Sequence, residues 1–411
     1  MLDLVIVGAG AAGIGAARAA REVGLSFELV EASHRVGGRA YTETLGPGWA
    51  FDLGCHWLHS ASINPLRAQA DRLGMRYREN VRRRVLQLGT RWASPEEIAD
   101  YEQFWEDAHA AMNAAVREGR DVAVAEVVPR DSRWTDLHDY WTSLLTSADA
   151  DQVSIADLVC YRDTEENWPL EAGYGTLVAR LAEGLPVRLN SAVERIRWDG
   201  GGVRVETVRG DLEARAVLVT VSTGVLAAGD IRFVPSLPDW KQAAVTALAL
   251  GVHNRIALVL EGNPFGDEHP YSVTWAHVGE TPMNFILRPF GHDYVVASTG
   301  GRFAAWLERA GVEASVDLAR TRLRDLFGAD VARRVVGHKV TAWATDPWVR
   351  GAYSAAAPGG FGQREVLGRP LDDRLFFAGE AVSPDAFATC HGAFQSGQDA
   401  VAQIAAVVRA A

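Results

Sequence analysis

Three short stretches near the start of the chain carry residue types spaced for gripping a diphosphate. Gly8-Ala9-Gly10-Ala11-Ala12-Gly13 follows an apolar run, Leu4 to Val7, and precedes an Ala-rich stretch at helical spacing. That reads as strand, tight turn and helix. Gly8 permits the turn, Gly10 lets a pyrophosphate come close, and Gly13 packs helix on strand, with Ala12 inside the same turn. The first N–H groups of the helix and its dipole then favour negative charge. Glu31 ends the next apolar run, 18 residues past Gly13, where a carboxylate can accept bonds from ribose hydroxyls. Gly37-Gly38-Arg39 adds a second Gly turn and a guanidinium able to pair with the same diphosphate. A nicotinamide dinucleotide has no obvious need of that second element, so the stretch points to a tightly held FAD.

The elements that must position these residues come in three pieces. About 1–65 holds the turn just described. About 186–235 alternates apolar and polar residues, with Gly200-Gly201-Gly202 as a hairpin turn, and ends in Ala216 to Val221. About 335–411 holds Leu375 to Glu380 and a small-residue helix from Gly392 to Val408. Residues 66–185 and 236–334 differ in character and are assigned to a substrate domain. In the first, Ser94-Pro95-Glu96-Glu97 supplies an N-cap, a Pro at the first helical position and a capping-box Glu. In the second, short strands at Tyr271–Trp275, Asn284–Leu287 and Tyr294–Ala297 lead to helices over 302–327. The expected fold class is α/β: an FAD-binding dinucleotide fold built from three segments, plus a substrate domain of mixed sheet and helices.

At 411 residues the chain is long enough for two domains. Its formal net charge of −11 disfavours nucleic acid or an anionic membrane as partner and weakly favours a cationic substrate. Cys55, Cys160 and Cys390 are scattered and lack metal-ligand spacing, so neither a disulfide framework nor a metal is expected and a reducing compartment is. The first strand starts at residue 2, leaving no room for a signal peptide, and no apolar run reaches the ~18 residues of a membrane span. The cytoplasm is the default expectation. Oligomeric state is not readable.

Together, the pieces resemble the flavin-containing amine oxidase family over nearly the whole chain. The resemblance is closest to polyamine oxidases and extends to monoamine oxidases and lysine-specific histone demethylases. It rests on Gly8–Gly13, Glu31–Arg39, Asp52-Leu-Gly-Cys-His-Trp-Leu-His59 with Asn64-Pro65, Gly173-Tyr-Gly175, Val219–Leu226, Phe377-Ala-Gly-Glu380 and Thr389–Ala393 with Ser396-Gly397. It implies that Glu31 holds the adenosine ribose and Arg39 the pyrophosphate beside Gly38. Val193 would meet the adenine through its backbone, and Glu380 the ribityl and phosphate groups. Gly54, Trp57 and Trp343 would line the isoalloxazine. Tyr353 would form an aromatic wall that steers an amine by cation–π attraction. Thr389 would form the opposite wall, where monoamine oxidases carry tyrosine. Alanine at 352, where monoamine oxidases bond covalently to flavin, implies non-covalent FAD.

His59 would sit in the substrate tunnel and orient the amine chain. Its neighbour His56 is the weaker candidate, because Trp57 is the residue that faces the flavin in the resemblance. The main departure is Arg255, where most of the family has a lysine holding a water against flavin N5. Arginine keeps its proton at working pH and has a larger planar head, which bears on reoxidation by O2 more than on hydride removal. A polyamine would want carboxylates along its tunnel, and Asp163, Glu165 and Glu166 lie ahead of Gly173-Tyr-Gly175, but they read as a solvated loop in preference to a pocket role and are not counted as site residues.

The implied reaction is oxidation of a carbon–nitrogen bond. Hydride passes from the α-carbon of a polyamine-like amine to flavin N5, the imine hydrolyses to aldehyde and amine, and O2 reoxidises the flavin, giving H2O2. The residues leave other functions open. An L-amino-acid oxidase would need an arginine for the substrate carboxylate, for which Arg288 and Arg350 are candidates. An isomerase of the sugar-mutase type would perform no net redox, and a flavin-bound scaffold protein would not respond to amines.

Overall fold

The computed structural model describes residues 1–79 and 84–410. Leu4 and Ile6 face one side of the first strand, Leu2–Val7, while Val5 and Val7 face the other, and all four are buried. A strand covered on both faces has no solvent side to alternate with, which is why it reads as one unbroken apolar run. It lies inside an eight-stranded sheet, flanked by Gly210–Val219 and Phe27–Val30, both parallel to it. Val187–Arg188 continues that edge. Gly210–Val219 pairs antiparallel with Val203–Thr207 through its first half and parallel with Leu375–Phe377 through its end. Every strand of this sheet comes from the three expected cofactor segments. Helices Ala11–Glu22 and Cys390–Ala410 pack on one face, and their small residues let the backbones approach closely.

A seven-stranded sheet stands beside it in the order Val335–Val340, His253–Leu260, Tyr294–Gly300, Glu280–Leu287, Ser272–His277, Arg84–Leu88, Arg91–Trp92. It is antiparallel except where Ser272–His277 runs parallel to Arg84–Leu88. Helices Gly301–Ala310 and Val312–Phe327 cover one face through a core that includes Phe285, Leu258, Leu307 and Leu323. The helix Pro95–Arg117 begins with the expected capping box: the Glu97 amide donates to the Ser94 hydroxyl and the Ser94 amide to the Glu97 carboxylate.

Two expected boundaries shift. Val335–Val340 is hydrogen-bonded to His253–Leu260, so the second sheet runs past residue 334 and the third cofactor segment starts after residue 340. Leu66, Ala70, Trp168, Tyr174, Leu177 and Leu181, expected in the substrate domain, are buried in the same core as Leu4 and Ile6. Helices Pro65–Arg72 and Tyr174–Leu181 therefore belong to the cofactor layer. Apolar periodicity marks a face as buried without saying which sheet buries it.

Candidate active site

A cavity of about 1960 Å³ runs between the two sheets. A drug-sized site spans ~300–1,000 Å³, so this one has room for a dinucleotide and a substrate together. At one end lies the glycine turn. A Cβ on Gly13 would stand 1.8 Å from the Gly8 carbonyl oxygen, so only glycine allows this approach of helix to strand. A Cβ on Gly10 would meet nothing within 4 Å, because that face opens on the cavity. Glu31 is buried at the cavity wall and accepts from the Ala9 amide at 2.6 Å and the Ser33 amide at 2.8 Å. Burial pushes its carboxyl up, against the pull of these amides. Ala12, Gly38 and Val193 line the same end. An open glycine turn at a helix start, with a buried carboxylate aimed alongside, fits the diphosphate and ribose of FAD.

Further along, Arg39 donates to the Ala352 carbonyl at 2.6 Å and to the Glu380 carboxylate at 3.0 Å. Glu380 also accepts from the Ser354 hydroxyl at 2.7 Å and the Ala388 amide at 3.0 Å. Burial opposes its charge, but the Arg39 and Arg364 guanidiniums and these bonds outweigh it and hold the carboxyl below its ordinary range. Arg364 and Asp157, absent from the sequence reading, complete the network. The buried guanidinium grips both Asp157 oxygens, at 2.8 and 2.7 Å, and donates to the Ser354 hydroxyl at 2.8 Å. It lies 3.8 Å over the Phe387 ring.

Gly54, Trp57 and Trp343 share the middle of the cavity wall, and the Trp343 indole donates to the Leu53 carbonyl at 3.0 Å. Ala352, which has no nucleophilic atom, lies on the same wall. Tyr353 lines the cavity 5.8 Å from the His253 ring, with its hydroxyl donated to the Leu144 carbonyl. Thr389 also lines it, but its hydroxyl donates to the Ala386 carbonyl and accepts from the Gly392 amide, capping the C-terminal helix. His59 lines the cavity and pairs through Nδ1 with the Asn167 side chain, because Trp57–His59 pairs antiparallel with Asn167–Pro169. Asn167 was not singled out from sequence.

That same pairing brings Asp163, Glu165 and Glu166 to the cavity, and Asp163 and Glu165 remain solvent-exposed there, so the loop is solvated and lines the cavity at once. Glu102 and Glu106, one turn apart on the helix Pro95–Arg117, line it too, with Trp105 between them. The two arginines considered for a substrate carboxylate are committed elsewhere. Arg288 pairs with Asp293, and Arg350 grips Asp230 through Nε and Nη2. Arg255 is different. It is buried at the cavity wall, and its Nη1 donates to the Asp52 carbonyl at 2.7 Å.

A family model described as flavin containing amine oxidoreductase matches residues 11–405. Polyamine oxidase 4 of Oryza sativa subsp. japonica is 28% identical across 96% of this chain and 87% of its own length. Lysine-specific histone demethylase 1 homolog 2 of Arabidopsis thaliana is 30% identical across 96% of this chain and 57% of its own. Among solved structures, putrescine oxidase bound to putrescine superposes with a TM-score of 0.84 at 20% identity, covering 98% of this chain and 99% of that one.

Proposed function

The chain belongs to the flavin containing amine oxidoreductase family, and from that premise we propose that it oxidises a di- or polyamine on non-covalently held FAD. Glu31, Arg39, Glu380 and Val193 would hold the dinucleotide, with Gly54, Trp57 and Trp343 around the ring. Hydride removal from the α-carbon of the amine is the chemistry that FAD supplies when bound. The residues of the chain bind and orient the amine and exclude water from it. The imine product hydrolyses to aldehyde and amine. Reoxidation by O2, with release of H2O2, closes the proposed cycle.

The observation that carries the substrate class is the set of carboxylates among the cavity's lining residues. Glu102, Glu106, Asp163 and Glu165 line the cavity and are solvent-exposed, which puts them at its mouth. Further along the same lining lie the aromatic rings of Trp57 and Tyr353 and the imidazole of His59. A cation at the mouth and an uncharged nitrogen inside is the pattern of a substrate with two or more amines. Replacing Glu102 and Glu106 together by Gln tests this. At ~0.5 kcal/mol for each exposed charge, the diamine concentration giving half-maximal flavin reduction should rise about fivefold. A monoamine should be little affected. Equal effects on both would remove the carboxylates from the substrate path.

A further inference from the structure

Two of the three cysteines meet on the cavity wall. Cys55 follows Gly54, and its amide donates to the Arg39 carbonyl at 3.2 Å. Cys390 opens the C-terminal helix directly after Thr389. Both line the cavity, both pack on the core that holds Tyr174, and the Cys390 thiol donates to the Cys55 sulfur. Tyr174, wholly buried, faces the two sulfurs from the core side. The bond from Cys390 lowers the Cys55 thiol below its ordinary range, and the Arg39 guanidinium pulls the same way against burial and the Asp52 carboxylate. Cys390, the donor, is held well above its ordinary range by the same bond and by burial. As filler, a small apolar side chain would serve at either place. A sulfur that leans toward thiolate on an open wall, under the pull of a guanidinium and in contact with a second thiol, is instead the arrangement of a redox-reactive pair. The exposed Cys160 lacks these features, and burial and then Asp157 and Asp385 raise its thiol.

We propose that Cys55 and Cys390 form a modification site for hydrogen peroxide, which closes them into a disulfide and slows the enzyme. The Cys55 thiolate attacks one peroxide oxygen and the O–O bond breaks. The departing hydroxide leaves as water, with the proton that Cys55 gave up. The Cys390 sulfur then attacks the sulfenic acid formed on Cys55, and its own proton leaves with the displaced hydroxide as a second water. Two thiols and one peroxide thus give one disulfide and two waters, the sulfurs losing the two electrons that peroxide gains. An S–S bond is ~2.0 Å long, shorter than any contact between two thiols. Closure therefore draws the Gly54–Cys55 segment toward Thr389 and the helix start. A shift of about 1 Å in groups that position a substrate costs up to about a hundredfold in rate. The inference rests on the proposed amine oxidation for its source of peroxide, released into this same cavity, while the thiol chemistry is tested without it.

The test uses the FAD-loaded protein carrying Cys160→Ser, mixed with hydrogen peroxide and no amine, then denatured and alkylated for mass spectrometry. The mass should fall by two hydrogens, and a peptide pair joined through Cys55 and Cys390 should appear. Dithiothreitol should reverse both. After catalase removes the peroxide, anaerobic flavin reduction by a diamine should be at least about tenfold slower in the linked protein and recover with dithiothreitol. With Cys55→Ala added, the Cys390 thiol should survive the same exposure. With Cys390→Ala added, Cys55 should gain oxygen and form no link. An unchanged mass in the Cys160→Ser parent, or oxygen gained without a link, would overturn the proposal. So would a Cys390 thiol lost as fast with Cys55→Ala as in the parent. A linked protein whose flavin is reduced at the unlinked rate would overturn the slowing. If the link forms but no amine reduces the flavin in either state, the amine reading fails and the modification site stands.

Discussion

Replacing Asp157 by Asn removes one charge from the buried network joining the cofactor end of the cavity to the helix Ile155–Cys160. Arg364 and Asp157 side chains are 3% and 6% exposed, so the guanidinium left behind has almost no water to turn to. Breaking a buried pair by removing one partner costs ~3–5 kcal/mol. Two features place this case at the low end. The Ser354 hydroxyl and the Ala381 carbonyl still accept from Nη1, at 2.8 and 3.2 Å. Glu380, bound to the same Ser354 hydroxyl, remains a nearby negative charge. The expected loss is therefore about 3 kcal/mol, a large share of the ~5–15 kcal/mol that holds a typical protein folded. Urea denaturation of the FAD-loaded protein, followed by tryptophan emission, measures it. The double variant Asp157→Leu with Arg364→Met removes both charges and should recover most of the loss, because apolar replacement of a whole buried pair is often neutral. A single-variant loss below about 1 kcal/mol, or a double variant no better than the single, would refute the reasoning.

Glu31→Ala should weaken FAD retention, by ~1–3 kcal/mol for each lost charged bond, and extensive dialysis followed by the ratio of flavin to protein absorbance checks it. His59→Ala should lower amine turnover by more than about twofold while leaving FAD content unchanged, as steady-state kinetics beside flavin quantitation would read. Arg255→Lys should leave flavin reduction by amine nearly unchanged and speed reoxidation by O2 about tenfold, or ~1.4 kcal/mol, with stopped-flow traces separating the two half-reactions. Stability should also fall with acid. His253 is held at about 3, by burial and then Arg255, and His391 at about 4, by burial and then His59. Both lie below the 6.5 of an ordinary imidazole, so the unfolded chain binds protons that the fold does not. Their contribution is complete above pH 6.5 and is lost as pH falls, down to about 4 for His391 and about 3 for His253, at up to ~1.4 kcal/mol per pH unit for each. Denaturation midpoints measured between pH 7 and 5 should fall, and His253→Gln should flatten the slope.

How much of this was legible beforehand follows from how local each signal is. The turn Gly8–Gly13, the capping box at Ser94 and the hairpin at Gly200-Gly201-Gly202 depend on residues a few positions apart, and each forms where its sequence says. The cavity wall at Asp163, Glu165 and Glu166 depends on the pairing of Trp57–His59 with Asn167–Pro169, more than a hundred residues away. A short polar run has no periodicity from which that pairing could be read. Arg364 and Asp157 are 207 positions apart, in segments that look like ordinary helix starts. The strand Val335–Val340 alternates as any strand might, and only its partner, His253–Leu260, assigns it to the second sheet. Thr389 shows a further limit. A hydroxyl just before a helix is a natural N-cap, and here capping has the first claim on it.

The central claim is that an amine gives up hydride in this cavity. Anaerobic mixing of the FAD-loaded protein with a panel of diamines, triamines, monoamines and amino acids, followed through the visible absorption of the flavin, tests it most directly. Diamines or triamines should bleach the flavin at lower concentrations than monoamines of matched length, and amino acids should leave it yellow. Bleaching by amino acids in preference to amines, or a flavin that no amine reduces, would contradict the account.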